Sequence, residues 1–364
     1  MNYKETLFFV GKCLTINHEE RNKVLVEEKI KSSDVDWESI VKISTAHFVF
    51  PALYCNLKKA NFLHYLPEEL VNYMIHITDL NRERNQEIIE QAKEINHLLL
   101  ANNITPIFLK GTGNLLEGLY DDIAERMVGD IDLIVSQENF KKSIAILKHE
   151  NYVAKEEVYM DFHWHYPKMV KKNRIAAIEI HNKVLKKPYT KFLDFETLKK
   201  DAITFNKCNV ASYENQFFIT ILQKQINDNL YYSKTIALRN VYDSYLISKK
   251  DFLKNNVLSN QLEEYINNYK ICASEILNFP DNLLFIDNKS SKKYLNSYLK
   301  ILEGSKKELK KIRQKIKYIK LKDKFKIIQY SFIDKEYRSY TLRRFKNIKF
   351  YLKNLGLLKS KPNP

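Results

Sequence analysis

Residues 110–135, KGTGNLLEGLYDDIAERMVGDIDLIV, decide the fold. The closing DIDLIV places two carboxylates, Asp130 and Asp132, inside an apolar run. Alternate side chains of a strand point to the same face, so the two carboxylates share one face and their apolar neighbours bury the other. Like charges on one rigid face repel unless a cation lies between them, and Mg²⁺ prefers hard oxygen ligands. The motif predicts a magnesium site, with a helix-capping aspartate beside a solvated one as the alternative.

A glycine-rich turn precedes this strand. Four of the chain's seven glycines lie in the quoted stretch, at Gly111, Gly113, Gly118 and Gly129. The run ITPIFLKG predicts a strand that ends in glycine, and a helix is expected to follow it. Glycine lets backbone N–H groups approach phosphate oxygens, and a helix N-terminus adds partial positive charge. The predicted nucleotide-binding residues are Lys110, Gly111, Thr112, Gly113 and Arg126.

A third carboxylate, Glu179, lies between two isoleucines in AAIEIHNK and again puts a charge into an apolar strand. Three carboxylates suffice to hold two metal ions, which would align an attacking hydroxyl with the α-phosphate of a nucleotide and stabilise the leaving pyrophosphate. We therefore predict Asp130, Asp132 and Glu179 as catalytic and metal-binding residues, with two Mg²⁺ or Mn²⁺ ions as the cofactor. Glu179 is also a candidate acceptor for the proton of the nucleophile.

Two arginines have alternative interpretations. The guanidinium of Arg126 suits a triphosphate oxygen. Its alternative is a salt bridge to one of three neighbouring acids, Asp121, Asp122 or Glu125. Arg239 and Asp243 have the i, i+4 spacing of an ordinary helix ion pair.

Histidines accompany the third carboxylate. The segments EVYMDFHWHYPKMV and RIAAIEIHNKVL, joined by KKNR, predict an antiparallel hairpin. We expect His165 to lie beside Glu179 and His163 beside His181 in this hairpin. Four such residues could bind a transition metal. The favoured interpretation is a hydrogen-bonded cluster in which His165 and His181 orient Glu179.

The remaining chain is patterned mainly as helix. NRERNQEIIEQAKEINHLLLANN predicts a helix with Asp79 as its N-cap and a stop at Asn102–Asn103. DWESIVKISTAHFVFPALYCNLKKA predicts two helices broken at Pro51, and SQENFKKSIAILKHENY predicts one capped by Ser136. Helical patterning returns at about 191–303.

The net charge of +16 belongs to the end of the chain. From Ser305 to Pro364 there are 20 Lys and Arg against 4 Asp and Glu, whereas residues 1–304 carry 40 of each sign. This basic tail, 305–364, interleaves cations with apolar residues in KIKYIKLKDKFKI. Such a pattern is typical of a solvated face, or of contact with a polyanion such as an anionic membrane or a nucleic-acid backbone.

The overall composition excludes several classes of protein. Apolar residues make up 45% of the chain, enough for a sizeable core, yet no apolar run approaches the length of a transmembrane helix. The four cysteines are far apart without a CxxC pair, which argues against a zinc ribbon and favours reduced thiols in the cytoplasm.

The motifs together resemble a known family. FLKG, the arginine shortly before DIDL, and the later EIH are similar to the uncharacterised nucleotidyltransferase family, a bacterial group of the DNA polymerase beta-like nucleotidyltransferase superfamily. The resemblance covers roughly residues 35–250 and includes Asn85, Arg239 and Asp243, but not the tail. The sequence departs at Thr112, where the superfamily usually has Ser or Gly, although a hydroxyl is kept. The resemblance implies a fold and a reaction class and supplies no substrate.

These observations predict an α+β protein with a small mixed-sheet, polymerase beta-like core at 101–190. Helical regions at 1–100 and 191–304 flank the core, and the basic tail follows at 305–364. The expected activity is Mg²⁺-dependent transfer of an NMP group from an NTP to a hydroxyl-type acceptor, which is a small molecule, sugar, protein or nucleic acid. The expected location is cytoplasmic, with peripheral membrane contact through the tail. The rivals are a catalytically inactive nucleotide-binding regulatory protein and a tail-driven nucleic-acid or membrane-surface binding protein.

Overall fold

The computed structural model describes residues 1–32, 34–154, 163–250 and 259–345. Residues 157–162 of the predicted hairpin and 346–364 of the basic tail lie outside the described residues. The chain divides into two compact units, the first formed by 1–159 and 163–306 and the second mainly by 307–364. Within the described ranges, no helix combines the length and the apolar character needed to cross a bilayer.

The N-terminal region is helical, as predicted. Its helices are α1 (Tyr3–Cys13), α2 (Glu20–Lys31), α3 (Trp37–Ala46), α4 (Phe50–Lys59) and α5 (Glu68–Leu100), with a 3₁₀ turn at Leu63–Tyr65. The break at Pro51 is confirmed, since proline lies in the first turn of α4, where its missing N–H is not needed. The predicted cap at Asp79 is wrong. Helix α5 begins after Pro67, and Asp79 instead pairs with Arg82 on the surface of the helix.

The central elements follow the predicted order of strand, helix, strand, helix and hairpin. They are β1 (Ile107–Phe108), α6 (Lys110–Glu117), a 3₁₀ turn (Ile123–Glu125), β2 (Asp130–Ile134), α7 (Phe140–His149), β3 (Val153–Ala154), β4 (Met169–Val170) and β5 (Ala177–His181). Helix α7 begins after Asn139 rather than at Ser136. The Ser136 hydroxyl accepts the Asn139 N–H at 3.3 Å, so it closes the turn before the helix.

The sheet extends beyond the predicted core. Strands β6 (Ile203–Phe205) and β7 (Cys208–Val210) form a hairpin inside the stretch predicted to be helical. Its two-residue turn, Asn206–Lys207, has positive φ at both positions, the geometry that matches the twist of a hairpin. In the described residues the seven strands form one mixed sheet in the order β3-β4-β5-β2-β1-β7-β6. The protein is therefore a mixed α/β structure with β2 and β5 at its centre.

The later helices are α8 (Phe195–Lys200), α9 (Tyr213–Leu222), α10 (Leu230–Ser233), α11 (Leu238–Ser248), α12 (Asn260–Ile276) and α13 (Lys289–Leu302), with a 3₁₀ turn at Thr190–Leu193 and a π-helical turn at Gln223–Asn227. Helix α9 is buried from Glu214 to Leu222, and α11 packs against it. The second unit contains α14 (Lys306–Ile333) and α15 (Lys335–Phe345). All four cysteines are free.

Candidate active site

The three predicted carboxylates meet on the central strands. Strands β2 and β5 are parallel neighbours, and their register places Asp132 directly opposite Glu179. Asp130 precedes Asp132 by two residues and therefore lies on the same face. Asp132 and Glu179 are each only 7% exposed, whereas the intervening Ile131 is fully buried on the other face. The alternation of acidic and apolar residues along the two strands thus places three carboxylates on one face of the sheet.

Two lysines neutralise part of this negative charge. The Lys110 ammonium lies 2.7 Å from Asp132 Oδ1 and 3.7 Å from Glu179 Oε2. Lys168 lies 2.5 Å from Asp130 Oδ2 and 3.2 Å from Glu179 Oε1. Burial disfavours both ammonium ions, but the facing carboxylates outweigh burial and raise the pKa of Lys110 and of Lys168. Both lysines therefore stay charged in the cluster.

Glu179 is held in its ionised form. Burial alone would raise the pKa of this carboxyl, but the neighbouring His181 imidazole and the Lys110 ammonium outweigh burial and place the pKa well below its ordinary value. A carboxyl with a lowered pKa suits cation binding and is a weak general base.

The histidines support the carboxylates in a different register from the one predicted. His165 pairs with His181 in an antiparallel bridge, and the two rings are 5.2 Å apart. The predicted register, with His165 opposite Glu179, is wrong, since the connection between the strands is longer than KKNR and includes Ala176. His165 nevertheless lies close enough for its charge to help lower the pKa of Glu179. The Gln91 side chain of α5 bonds both the N–H of Ala176, at 3.2 Å, and its carbonyl, at 3.0 Å.

His181 is fully buried and donates from Nε2 to Asp132 Oδ1 at 2.8 Å. Its Nδ1 has no hydrogen-bond partner among the described residues. Ligand atoms of Asp132, Glu179 and His181 all lie within 4.8 Å of one another, so this buried group could hold a metal ion. Two carboxylates fit Mg²⁺ or Mn²⁺. The imidazole can add a nitrogen, which Mn²⁺ accepts more readily than Mg²⁺, only when that nitrogen carries no proton and the hydrogen bond to Asp132 is given up.

The glycine turn brings α6 against β2. Lys110 and Gly111 line the cleft in front of the carboxylates. Thr112 lies behind them, where its buried hydroxyl donates to the carbonyl of Asp130 at 3.0 Å. A Cβ on Gly113 would lie 2.9 Å from the carbonyl oxygen of Phe108, so this glycine permits close packing of helix on strand. The nucleotide contacts proposed for Thr112 and Gly113 stay predictions.

Arg126 bonds none of the three acids suggested by the sequence. It approaches both carboxylate oxygens of Asp243 on α11, with Nε at 3.0 and 2.9 Å and Nη2 at 2.9 Å. The Tyr120 hydroxyl donates to the same carboxylate at 2.7 Å. The amide of Asn85 on α5 donates to the carbonyl of Arg126 at 2.7 Å, which fixes the backbone of the turn. This buried pair joins the turn before β2 to the helical wall of the cleft.

Arg239 is left without the ion pair predicted for it, because Asp243 is taken by Arg126. Among the described residues no carboxylate lies within 4.0 Å of the Arg239 guanidinium, which donates to the carbonyl of Met127 at 3.2 Å and lies 4.9 Å from the Phe48 ring centroid. Burial and the charge of Arg126 lower the pKa of Arg239 to about 10. A partly buried cation beside another cation is a site where an anion is stabilised.

These groups surround a single cleft of about 320 Å³. One wall carries the carboxylates, Lys110, Lys168 and the ring of Trp164, and the opposite wall is formed by α9, the π-helical turn and α11. Further polar side chains line that opposite wall, namely Thr220, Gln223, Lys224, Asn227, Asp228, Arg239 and Asn240. Acidic and basic groups thus face each other across a space of the size that small ligands occupy.

A family model described as uncharacterised nucleotidyltransferase matches residues 33–274. The chain belongs to this family. The match contains the whole sheet and both walls of the cleft, and it ends before α13 and α14. No curated protein and no solved structure matches the chain. Membership of the nucleotidyltransferase family supports an NTP as substrate and NMP transfer as the reaction.

Two cleft residues, Lys168 and Trp164, were missed as candidates, and Arg239 was named only through the family resemblance and a helix ion pair, without a role in binding. Lys168 lay in a predicted hairpin without a distinguishing motif, and it becomes visible only when the hairpin places it opposite Glu179. An ion pair between Arg239 and Asp243 was predicted from their helical spacing, which gives no information about Arg126, a competing partner on another element. These residues depend on tertiary contacts, which local patterns do not encode.

Proposed function

We propose that this protein transfers a nucleoside monophosphate from an NTP to a hydroxyl-type acceptor and releases pyrophosphate, on a core of the polymerase beta-like type. The observation that carries the proposal is the parallel register of β2 and β5, which places Asp132 opposite Glu179 inside the matched family region. In the step itself, the acceptor oxygen forms a bond to the α-phosphorus, and the bond from that phosphorus to the oxygen bridging to the β-phosphate breaks. The hydroxyl proton passes to the surrounding bases, and pyrophosphate takes the electron pair.

Asp130, Asp132 and Glu179 would hold divalent cations, Mg²⁺ or Mn²⁺. Such ions, when bound, neutralise phosphate charge and make the α-phosphorus more electrophilic. His181 contributes by holding Asp132 in place through the 2.8 Å bond from Nε2. The lowered pKa of Glu179 favours its role as a ligand over that of a proton acceptor.

The opposite wall would receive the phosphates. Arg239 lines the cleft without a carboxylate partner among the described residues, and the positive charge of Arg126 helps to lower the pKa of Arg239, so the two guanidinium groups repel each other. A polyphosphate would relieve that repulsion and gain bidentate hydrogen bonds. The Lys110 ammonium, which is paired with Asp132, would attract the same polyphosphate from the carboxylate side of the cleft.

The test measures pyrophosphate release from each of the four NTPs with Mg²⁺ or Mn²⁺ and a set of candidate acceptors. We expect Asp132→Asn to lower turnover about a thousandfold, because a lost metal contact costs several kcal/mol in the transition state. Asp201→Asn, at an exposed position, is the matched control and should retain activity. Equal turnover in Asp132→Asn and the wild type would refute the assignment.

Binding without turnover would favour the regulatory rival. Trp164 lines the cleft, and the only other tryptophan is Trp37 in α3, so a Trp37→Phe protein reports on the cleft through Trp164 fluorescence. Nucleotide-dependent quenching with no pyrophosphate release from any acceptor would identify a binding protein. Quenching accompanied by metal-dependent release supports the enzyme.

A further inference from the structure

Helix α14 carries an exposed apolar stripe. Tyr318, Leu321, Phe325 and Phe332 follow one another at steps of three, four and seven, and at about 100° per residue they fall within an arc of about 60°. Phe325 is 65% exposed and Phe332 is 77% exposed. Single exposed apolar residues are common, but an aligned row of aromatic and aliphatic side chains on one helix marks a contact surface.

Lysines border this stripe on both sides. The helix from Lys306 to Ile333 has 11 Lys and Arg against 2 acids, Glu308 and Asp323. Between residues 310 and 326, the lysines within about 80° of the edges of the stripe form one row on each side, since the helix turns by about 100° per residue. The first row is Lys311, Lys315, Lys322 and Lys326, and the second is Lys310, Lys317 and Lys324. Asp323 falls on the opposite side of the helix from Phe325, so it does not interrupt either row.

This arrangement fits one kind of partner. A lipid bilayer with anionic headgroups offers hydrocarbon for the stripe and phosphates for both rows of lysines, whose long stems reach outwards from a partly immersed helix. A nucleic-acid backbone would use the lysines but leave the aliphatic and aromatic stripe in water. A second copy of the helix would bring two strongly positive surfaces together.

We propose that α14 binds the surface of an anionic membrane, lying in the plane of the interface with its apolar stripe in the acyl boundary. The helix is about 42 Å long at 1.5 Å per residue, so it would present the whole stripe at once. It is too highly charged to cross the bilayer, in agreement with the lack of a spanning helix in the described ranges. The proposal is independent of the proposed activity, because the family match ends at residue 274.

The test is flotation of the full chain with vesicles of phosphatidylcholine alone or with 30% phosphatidylglycerol, a composition chosen to supply negative surface charge. The wild type should float with the anionic vesicles and remain behind with the neutral ones. Phe325→Ser/Phe332→Ser should weaken the apparent affinity roughly tenfold or more, because two large apolar groups no longer enter the acyl region. Neutralising four lysines of the two rows (Lys315, Lys317, Lys322 and Lys324→Gln) should also weaken it roughly tenfold or more.

A matched control removes four exposed lysines of the first unit instead (Lys141, Lys172, Lys199 and Lys200→Gln) and should bind anionic vesicles like the wild type. Circular dichroism and urea unfolding show whether each variant remains folded. Failure of the wild type to float with anionic vesicles overturns the proposal. Binding of anionic vesicles by the serine variant as tightly as by the wild type overturns it as well. So does a wild-type protein that binds single-stranded RNA but does not bind anionic vesicles.

Discussion

Glu117 gives a pH-dependent test of how the cleft walls are joined. This α6 carboxyl is 8% exposed and accepts a 2.8 Å hydrogen bond from Gln216 on α9, while its other oxygen is buried without a hydrogen-bond partner among the described residues. Burial raises the pKa of Glu117 from 4.5 to about 8. The folded protein therefore keeps a proton that the unfolded chain loses above pH 4.5.

The sign follows from this difference in proton binding. Stability from Glu117 is fully present below pH 4.5 and is lost as the pH rises towards about 8. The slope is about 1.4 kcal/mol per pH unit for one proton, so from pH 5.5 to 7.5 the loss is about 2.7 kcal/mol. Glu117→Gln keeps the acceptor for Gln216 and carries no titratable proton. The stability of this variant relative to the wild type should therefore rise by about that amount over the same interval.

The measurement is urea unfolding of both proteins at half-unit steps from pH 5.5 to 7.5. Glu125, whose pKa burial raises to about 7, contributes to both curves and cancels in the difference. Glu138→Gln, at an exposed position near α7, is the matched control and should follow the wild type. A constant difference between Glu117→Gln and the wild type at all pH values would refute the assignment of a buried, protonated carboxyl.

Three further predictions concern packing and charge in the cleft. Asp243→Asn leaves Arg126 buried without its anion and should lower the free energy of unfolding by about 3–5 kcal/mol in urea melts; a loss below about 1 kcal/mol would contradict a buried ion pair. Gly113→Ala should lower the free energy of unfolding by about 1–3 kcal/mol, because the added Cβ would lie 2.9 Å from a backbone oxygen. Gly129→Ala, with open space around it, should change the free energy of unfolding by no more than about 0.5 kcal/mol. Equal effects of the two substitutions would contradict the close approach at Gly113. Replacing Arg239 with Met should raise KM for the NTP about tenfold or more with a smaller change in kcat, with Lys intermediate, and an unchanged KM would exclude a phosphate contact.

The carboxylate face was predictable because it depends on local rules. Residues Asp130 and Asp132 share a face through strand periodicity alone, and the apolar flanks of Glu179 assign it to a strand as well. That Glu179 meets Asp130 and Asp132 was an inference from chemistry, and the register of β2 and β5 that brings them together is specified by no local pattern. The structure itself shows this pairing, with Asp132 opposite Glu179.

The errors came from places where context outweighed pattern. The sequence ITFNKCNV contains a pattern typical of a hairpin, an Asn-Lys turn between two short stretches of alternating apolar and polar residues. Because helical segments lie on both sides, the whole stretch was predicted to be helical. His165 lies opposite His181 rather than Glu179, and the connection between the two strands contains Ala176, which is bonded by Gln91 from a distant part of the sequence. Arg239 lacks its predicted partner because Asp243 is paired with Arg126 instead. Each outcome depends on a contact between distant segments.

The central claim is that three carboxylates on two neighbouring strands serve nucleotidyl transfer. The most direct measurement gives the protein one NTP labelled with ³²P at either the α- or the γ-phosphate, with Mg²⁺ or Mn²⁺ and a candidate acceptor. The account predicts that label from the α-phosphate appears on the acceptor and that label from the γ-phosphate appears in pyrophosphate, with both lost in Glu179→Gln. Transfer of the γ-label to the acceptor, or α-label transfer that persists in Glu179→Gln, would contradict it.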